Sequence, residues 1–357
     1  PGRGMTAAQV RDADILLVRS VTRVDAQLLG ESEVQFVGSA TIGFDHVDRA
    51  YLRQRGIGFS TAPGSNATSA AEYVVSALLA LNAQQGFDPA GKTVGIIGCG
   101  NVGSRVRHKL SALGMNCLVN DPPLQAQGGY DDFVSLDEVL QADVVTVHVP
   151  YTRDGRYPTH HLADAAVLQQ LRPDALFINT SRGAVTDNAA LDSLLAGRGD
   201  LSVVLDVWEG EPAIDATLLQ RVRIGSAHIA GYSLDGKLLG TRMLREALTA
   251  QLGAGTPSPG RPGGEPSLLE LRSPGDGPDL IRELLGQRYD ILQDDALLRE
   301  SSQQADPAAA FDRLRREYRE RRELSGTPVA VSGGCDPRSS ALIQGLGCRL
   351  VAEAGTR

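Results

Sequence analysis

Three polar side chains in this sequence could together move a proton and assist a hydride transfer. They are Arg182 in Asn179-Thr180-Ser181-Arg182-Gly183-Ala184-Val185, Glu211 in Asp206-Val207-Trp208-Glu209-Gly210-Glu211-Pro212, and His228 in Ala227-His228-Ile229-Ala230-Gly231-Tyr232. Each follows a run that reads as a strand. Neutral histidine takes up a proton near neutral pH. A carboxylate beside His228, for which Glu211 is the candidate, would favour the protonated ring and fix its tautomer. An arginine fork can hold a carboxylate through two parallel hydrogen bonds. Oxidising an alcohol carbon by hydride loss needs such a set: a base for the hydroxyl proton and a cation for a substrate carboxylate or carbonyl. Taken singly, each residue has an ordinary explanation. A strand-end Arg usually makes a surface ion pair, a Glu before Pro usually sits in a solvated turn, and a lone His usually packs. Their succession on consecutive strand ends is what argues for chemistry.

The acceptor of the hydride is implied by Gly95-Ile96-Ile97-Gly98-Cys99-Gly100-Asn101-Val102-Gly103. This run follows a strand, Thr93–Ile97, and opens a helix predicted over Val102 to Leu113. Gly98 permits the tight turn, Gly100 lets the backbone approach a pyrophosphate, and Gly103 lets the helix pack on the strand. The helix N-terminus, at Asn101 and Val102, faces the phosphates. Asp121 lies 18 positions after Gly103, at the end of the next strand. It would accept hydrogen bonds from the adenosine ribose hydroxyls and repel a 2′-phosphate, favouring NAD over NADP.

The elements that must position these groups follow from the apolar runs. Residues 91–231 alternate strands and helices, with strands predicted at Thr93–Ile97, Asn116–Asn120, Val144–His148, Leu176–Asn179 and Val203–Val207, and a weaker one at Arg223–Ser226. That alternation means a parallel sheet covered on both faces. The fingerprint begins roughly 90 residues in, so another domain is started before it and completed after it. Its front part has strands at Ile15–Val18, Val34–Val37 and Ile57–Ser60, and a short helix from Asp25 to Leu29. A long, mostly apolar helix from Asn66 to Leu81 is predicted to cross between the domains, with Glu72 supporting its first turn. A second, Leu234 to Leu252, can return the chain. Residues 253–278, rich in Gly, Pro and Ser, read as a linker. The remainder is a smaller α+β segment with a charged helix, Ala308 to Glu323, and a strand, Pro328–Ser332.

A formal charge of -8 argues against nucleic acid as the main partner, since a phosphate-tracking surface is usually basic. Neither a membrane-length apolar run nor a signal-type opening is found, so no membrane partner is expected. Cys99, Cys117, Cys335 and Cys348 form no CxxC pair, and no metal-ligand spacing stands out. That cysteine usage fits a reduced, cytoplasmic compartment.

The order GxGxxG, NTSRGAVTD, DVWEGEP, AHIAGYS resembles that of the D-isomer-specific 2-hydroxyacid dehydrogenases. The resemblance implies an α/β fold: a Rossmann dinucleotide-binding domain (67–232) inserted in a flavodoxin-like substrate domain (1–66 and 233–255). It implies Arg182, Glu211 and His228 as the catalytic set, with NAD as cofactor. It also implies substrate contacts at Ser20, Thr41 and Tyr232, and cofactor contacts at Asp121, Asp206 and Gly231. Where the family has a Thr in a His-Thr-Pro run, this chain has Val149, so a side-chain bond to cofactor is lost there while a backbone bond could survive.

A closer likeness within the family is carried by Leu17-Val18-Arg19-Ser20-Val21-Thr22, Thr41-Ile42-Gly43-Phe44-Asp45-His46-Val47-Asp48, Asn120-Asp121-Pro122-Pro123, and His228 through Lys237. With Tyr289-Asp290-Ile291-Leu292-Gln293-Asp294-Asp295, it implies a small phosphorylated 2-hydroxy acid as substrate. It also implies a linker and small α+β dimerisation domain over 256–357, hence a homodimer. By charge, Arg19 and Lys237 are candidates for the phosphate, whereas Arg105 and Arg107 read as helix-surface residues. Family members begin with a further strand and helix of the substrate domain, so this chain is expected to start inside that domain. Other readings are a relative acting on phosphoglycerate, hydroxypyruvate or glycerate, and a non-catalytic NAD-sensing protein on the same fold.

Overall fold

Parallel pairing joins the central runs into one six-stranded sheet of order β5-β4-β6-β7-β8-β9. The strands are β4 (Thr93–Ile97), β5 (Asn116–Asn120), β6 (Val144–Val147), β7 (Leu176–Asn179), β8 (Ser202–Leu205) and β9 (Ile224–Gly225). Every residue of β6 and β7 is buried, as expected for strands covered on both faces. The strand order reverses between β4 and β6, and ligands of open α/β sheets bind outside the carboxyl ends at such a switch. In this computed structural model, residues 4–86, 88–128, 132–253, 265–271 and 277–351 are described.

Packing divides the chain into two units, Pro1–Ala67 with Ser233–Glu265, and Thr68–Tyr232 with Pro266–Arg357. The first holds a three-stranded parallel sheet of β1 (Ile15–Val18), β2 (Phe36–Ser39) and β3 (Gly58–Thr61). Leu16, Val18, Leu29, Val37 and Leu52 are among its core residues. β2 begins two residues later than the apolar run suggests, because its ladder partner β1 begins opposite Phe36. The helix Leu234–Gln251 belongs to this unit. It lies so close to β3 that a Cβ on Gly58 would stand 2.1 Å from the Gln251 amide oxygen.

The second unit has two hydrophobic clusters. One contains the helix Ala67–Gln85, the fingerprint helix Asn101–Ala112 and the last part of the chain. Only Ala67 of the first of these helices falls in the other unit. Tyr73, Val74, Val75, Ala77 and Leu78 are all fully buried, which explains a helix apolar all round. The last part forms its own parallel sheet, β10-β11-β12, from Leu269–Leu271, Pro328–Val331 and Arg349–Leu350. β10 lies inside the stretch read as linker. Gly and Pro hid a three-residue strand whose Leu269 and Leu271 point into the core. The segment predicted as a domain of its own thus shares a core with the sheet unit.

The charged helix also ends earlier than expected, spanning Pro307–Arg316. Beyond it, side chains make bonds that continued helix would forbid. Tyr318 Oη and Arg319 both bond the Asp294 carboxylate, and Arg321 Nη2 donates to Ser69 O at 2.9 Å and Ala230 O at 2.7 Å.

Glu72 does not support its helix's first turn. It is buried, accepts from Leu324 N at 3.0 Å, and faces Lys109 Nζ at 3.4 Å. Lys109 also donates to Leu346 O. Burial raises the Glu72 carboxyl above its usual range, against the opposing charges of Lys109 and Arg321. Removing one member of a buried pair leaves the other charge uncompensated. Lys109→Met should therefore lower unfolding free energy by about 3 kcal/mol in chemical denaturation. Unchanged stability would show that the pair contributes nothing.

Candidate active site

The three candidate residues stand after β7, β8 and β9, on adjacent strands of one sheet. His228 Nδ1 lies 2.8 Å from Glu211 Oε2, and Glu211 Oε1 accepts from Trp208 N at 2.9 Å. That contact makes Nδ1 the donor and leaves Nε2 as the site that can take a proton. Burial alone would raise the Glu211 carboxyl. The charge and hydrogen bond of His228, then the Arg315 guanidinium and the Trp208 amide, outweigh it and hold the group below its usual range. Because the folded value is depressed, this pairing stabilises the fold above the unfolded pKa and is lost as pH falls through the folded one.

The loop bearing His228 is held by Asp206. Its Oδ1 accepts from Ser226 Oγ at 2.6 Å and Ile229 N at 2.7 Å, its Oδ2 from Ala230 N at 3.0 Å, and its backbone oxygen from His228 N at 2.7 Å. Tyr73 Oη, 2.8 Å from Ser226 Oγ, extends the network into the long helix. Three bonds from the loop occupy a carboxylate expected to meet cofactor, so its structural part here is to fix the backbone beside His228. His228 itself sits at φ 55, in the left-handed region that β-carbon sterics disfavour. The Asp206 bonds hold it there.

Arg182 is shaped by Asn179. The Asn179 amide donates to Arg182 O at 3.0 Å and accepts from Ser181 N at 2.9 Å. Arg182 is half-buried, with Nη1 donating to Ser181 O at 2.7 Å. A Cβ on Gly183 would fall 2.0 Å from the Trp208 carbonyl, so only glycine lets this loop press against the Glu211 loop. Beside them His161 Nε2 lies 2.8 Å from Glu209 Oε1, with Nδ1 3.7 Å from Asp187 Oδ2. Glu209 and Asp187 also accept from the amides of Asn188 and Ala190, so the three side chains tie two loops together.

Of the remaining histidines, His148 is the other one at a strand end, after β6. It lies between Thr146 Oγ1 at 2.9 Å and Thr180 Oγ1 at 3.1 Å, and burial pushes it down to about 3. It therefore stays neutral at neutral pH.

The fingerprint glycines separate by cause. A Cβ on Gly98 (φ 88) would meet His148 O at 2.7 Å and Val149 Cγ1 at 2.8 Å, and one on Gly103 would meet Gly98 O at 1.9 Å. Both are demanded by the chain's own packing. A Cβ on Gly100 would meet nothing within 4 Å. Packing within the chain therefore does not demand glycine there, and the open backbone leaves room for a dinucleotide pyrophosphate to approach. No side chain caps the helix that begins at Asn101, one residue earlier than predicted, followed by Val102. Asp121 Oδ2 accepts from Cys99 N at 2.8 Å and Oδ1 from Leu124 N at 2.9 Å, so it ties the fingerprint loop to the end of β5. Each oxygen keeps a second lone pair for a ribose hydroxyl. Arg105 bonds Asn101 O and Arg107 bonds Asp132, as helix-surface residues do.

Ser20 and Thr41 belong to the first unit and follow β1 and β2. Thr41 Oγ1 donates to Gly43 O at 3.0 Å and accepts from Ser39 Oγ at 2.7 Å. Arg19 is exposed and Lys237 half-buried in the same unit. Tyr232 and Gly231 close the second unit's sheet segment, both half-buried, and the Tyr232 ring meets Tyr318 edge-on at 5.8 Å.

Arg315 went unnoticed in the charged helix. Its side chain is 8% exposed and its Nη1 lies 3.7 Å from Glu211 Oε2. The signal is Phe311, Leu314, Arg315 and Tyr318, at spacings of three, four and seven, which put one arginine on the apolar face.

Comparison with known proteins places the chain in a family. Residues 65–230 match the family model described as D-isomer specific 2-hydroxyacid dehydrogenase, NAD binding domain. Residues 265–347 match one described as a domain of unknown function. A protein of Cronobacter sakazakii named erythronate-4-phosphate dehydrogenase is 48% identical over 353 residues, covering 97% of this chain and 91% of that one. A protein of the same name from Escherichia coli is 48% identical over 350 residues, covering 96% and 89%. Among solved structures, a D-lactate dehydrogenase from Aquifex aeolicus, complexed with NAD and lactic acid, has a TM-score of 0.58. It is 24% identical over 70% of this chain and 86% of that one, a likeness of fold.

The two kinds of glycine give a paired expectation. Gly100→Ala should leave thermal stability within about 0.5 kcal/mol of the parent while weakening NAD binding at least tenfold in titration calorimetry. Gly103→Ala should lower stability by about 2 kcal/mol or more, because backbone must move. Equal NAD affinity in Gly100→Ala would contradict the reading of that position.

Proposed function

The chain belongs to the D-isomer specific 2-hydroxyacid dehydrogenase family, on its erythronate-4-phosphate dehydrogenase branch, and we propose that Arg182, Glu211 and His228 carry its reaction. That reaction is oxidation of the C2 hydroxyl of 4-phospho-D-erythronate to (R)-3-hydroxy-2-oxo-4-phosphooxybutanoate, a step toward pyridoxine 5′-phosphate. NAD⁺, when bound, takes the hydride from C2. His228 Nε2 takes the hydroxyl proton. Glu211 holds the ring through Nδ1 and stabilises the imidazolium that forms. Arg182 binds the substrate carboxylate and polarises the C2 oxygen as it becomes a carbonyl. The observation that carries this reading is the 2.8 Å contact from His228 Nδ1 to Glu211 Oε2, which leaves Nε2 as the proton acceptor.

Gly98, Gly100, Asn101, Val102, Gly103 and Asp121 hold the adenosine pyrophosphate half of NAD in this proposal, with Val149 contributing backbone. Asp206 and Gly231 border the nicotinamide end. Ser20, Thr41 and Tyr232 contact substrate, and Arg19 and Lys237 meet its phosphate. The substrate domain is 1–66 with 233–255, the NAD domain 67–232, and 256–357 joins two copies into a homodimer. Leu292 and Leu297, both more than a third exposed on one helix of that segment, suit such a contact. None of the helices among the described residues is long and apolar enough to cross a membrane. The four cysteines are unpaired, as a cytoplasmic location would require.

Two measurements test the proposal. NADH formation across 2-hydroxy acids with and without a 4-phosphate should give kcat/KM at least a hundredfold higher for the phosphorylated acid. Equal values would end the substrate assignment. His228→Asn should lower kcat by about a thousandfold with the fold retained. Turnover unchanged in that variant would remove His228 from the mechanism.

A further inference from the structure

The segment whose family model is described as a domain of unknown function reaches Glu211. Arg315, on the helix Pro307–Arg316, is buried and stands 3.7 Å from Glu211 Oε2, the oxygen that holds His228. The two groups form an ion pair without a hydrogen bond. Arg315 Nε is buried with no hydrogen-bond partner, a costly state that the nearby carboxylate offsets. Two contacts clamp the same segment to the His228 loop: Arg321 donates to Ala230 O at 2.7 Å, and Tyr318 meets the Tyr232 ring.

We propose that Arg315 is a positioning residue for the reaction. Its fixed positive charge beside Glu211 sets the pH at which the Glu211–His228 pair gives up its proton. This rests on His228 being the base, as proposed above. The other groups around the pair are already engaged. Asp206 is bonded to Ser226, Ile229 and Ala230; Arg182 is bonded to Ser181 O; Glu209 is paired with His161; and the Trp208 amide donates to Glu211 itself. Arg315 is the cation that the C-terminal segment sets against the Glu211 carboxylate itself, whereas its Arg321 is bonded to Ser69 O and Ala230 O.

The sign follows from charge. With one shared proton the pair is neutral, and after losing it the pair carries one negative charge. A cation alongside favours the second state, so the base becomes available at lower pH. Removing that cation should move proton loss upward.

The test is kcat/KM for NADH formation from 4-phospho-D-erythronate against pH, in wild type, Arg315→Gln, Arg315→Met and Arg315→Lys. Arg315→Met keeps the apolar packing of the side-chain stem and serves if Arg315→Gln fails to fold. The acid limb should rise by about one unit in the neutral variants, a tenfold loss below the limb, and stay within about 0.3 unit in Arg315→Lys. A limb that coincides with wild type in the neutral variants would overturn the proposal, even with lowered stability, because a merely structural arginine moves Tm alone. A limb displaced as far in Arg315→Lys as in Arg315→Gln would also overturn it. Wild type forming no NADH would instead remove the dehydrogenase reading on which the proposal rests, so the two failures are told apart.

Discussion

One carboxylate organises the loops that follow β8 and β9. Glu211 accepts from the Trp208 amide with one oxygen and receives His228 with the other, while Arg315 stands beside the second. Burying a carboxylate is costly unless its charge is met and its lone pairs are filled. Here the strand-end loop, the histidine and a guanidinium from the end of the chain meet that cost together. The histidine is thereby fixed in tautomer and orientation by the protein itself, with Nε2 left free of the Glu211 contact. The neighbouring carboxylate, Asp206, does for the backbone what Glu211 does for the ring.

Much of this was legible in the sequence because parallel strands announce themselves. β4, β5 and β7 match their apolar runs residue for residue, since buried strands need unbroken apolar stretches and turn residues bound them. The strand-end positions of Arg182, Glu211 and His228 followed from that register, and the last two stand 2.8 Å apart.

What stayed hidden depends on distant partners. Glu72 read as a support for its helix's first turn, yet its partners Lys109 and Leu324 are 37 and 252 positions away. Such a pair leaves no local trace. β10 was masked by the glycines and prolines around it, and needs β11 to exist. Asp206 read as a cofactor contact, and its bonds to the loop 226–230 are a further network, invisible without the turn that follows β9. The early end of the helix at Arg316 has the same origin. Tertiary bonds of Tyr318, Arg319 and Arg321 outweigh a strong local helix preference. Arg315 alone left a readable mark, as a charge on an apolar stripe.

The central claim is that Glu211, through His228, acts on the chemical step. It is tested most directly by NADH formation from 4-phospho-D-erythronate carrying deuterium at C2, compared with the protonated substrate, in wild type and Glu211→Gln. If Glu211 serves proton abstraction, its loss slows hydride transfer, and the isotope effect on kcat should grow toward its full value of about threefold or more as kcat falls. A kcat that falls with no rise in the isotope effect, or a loss confined to KM, would contradict the account.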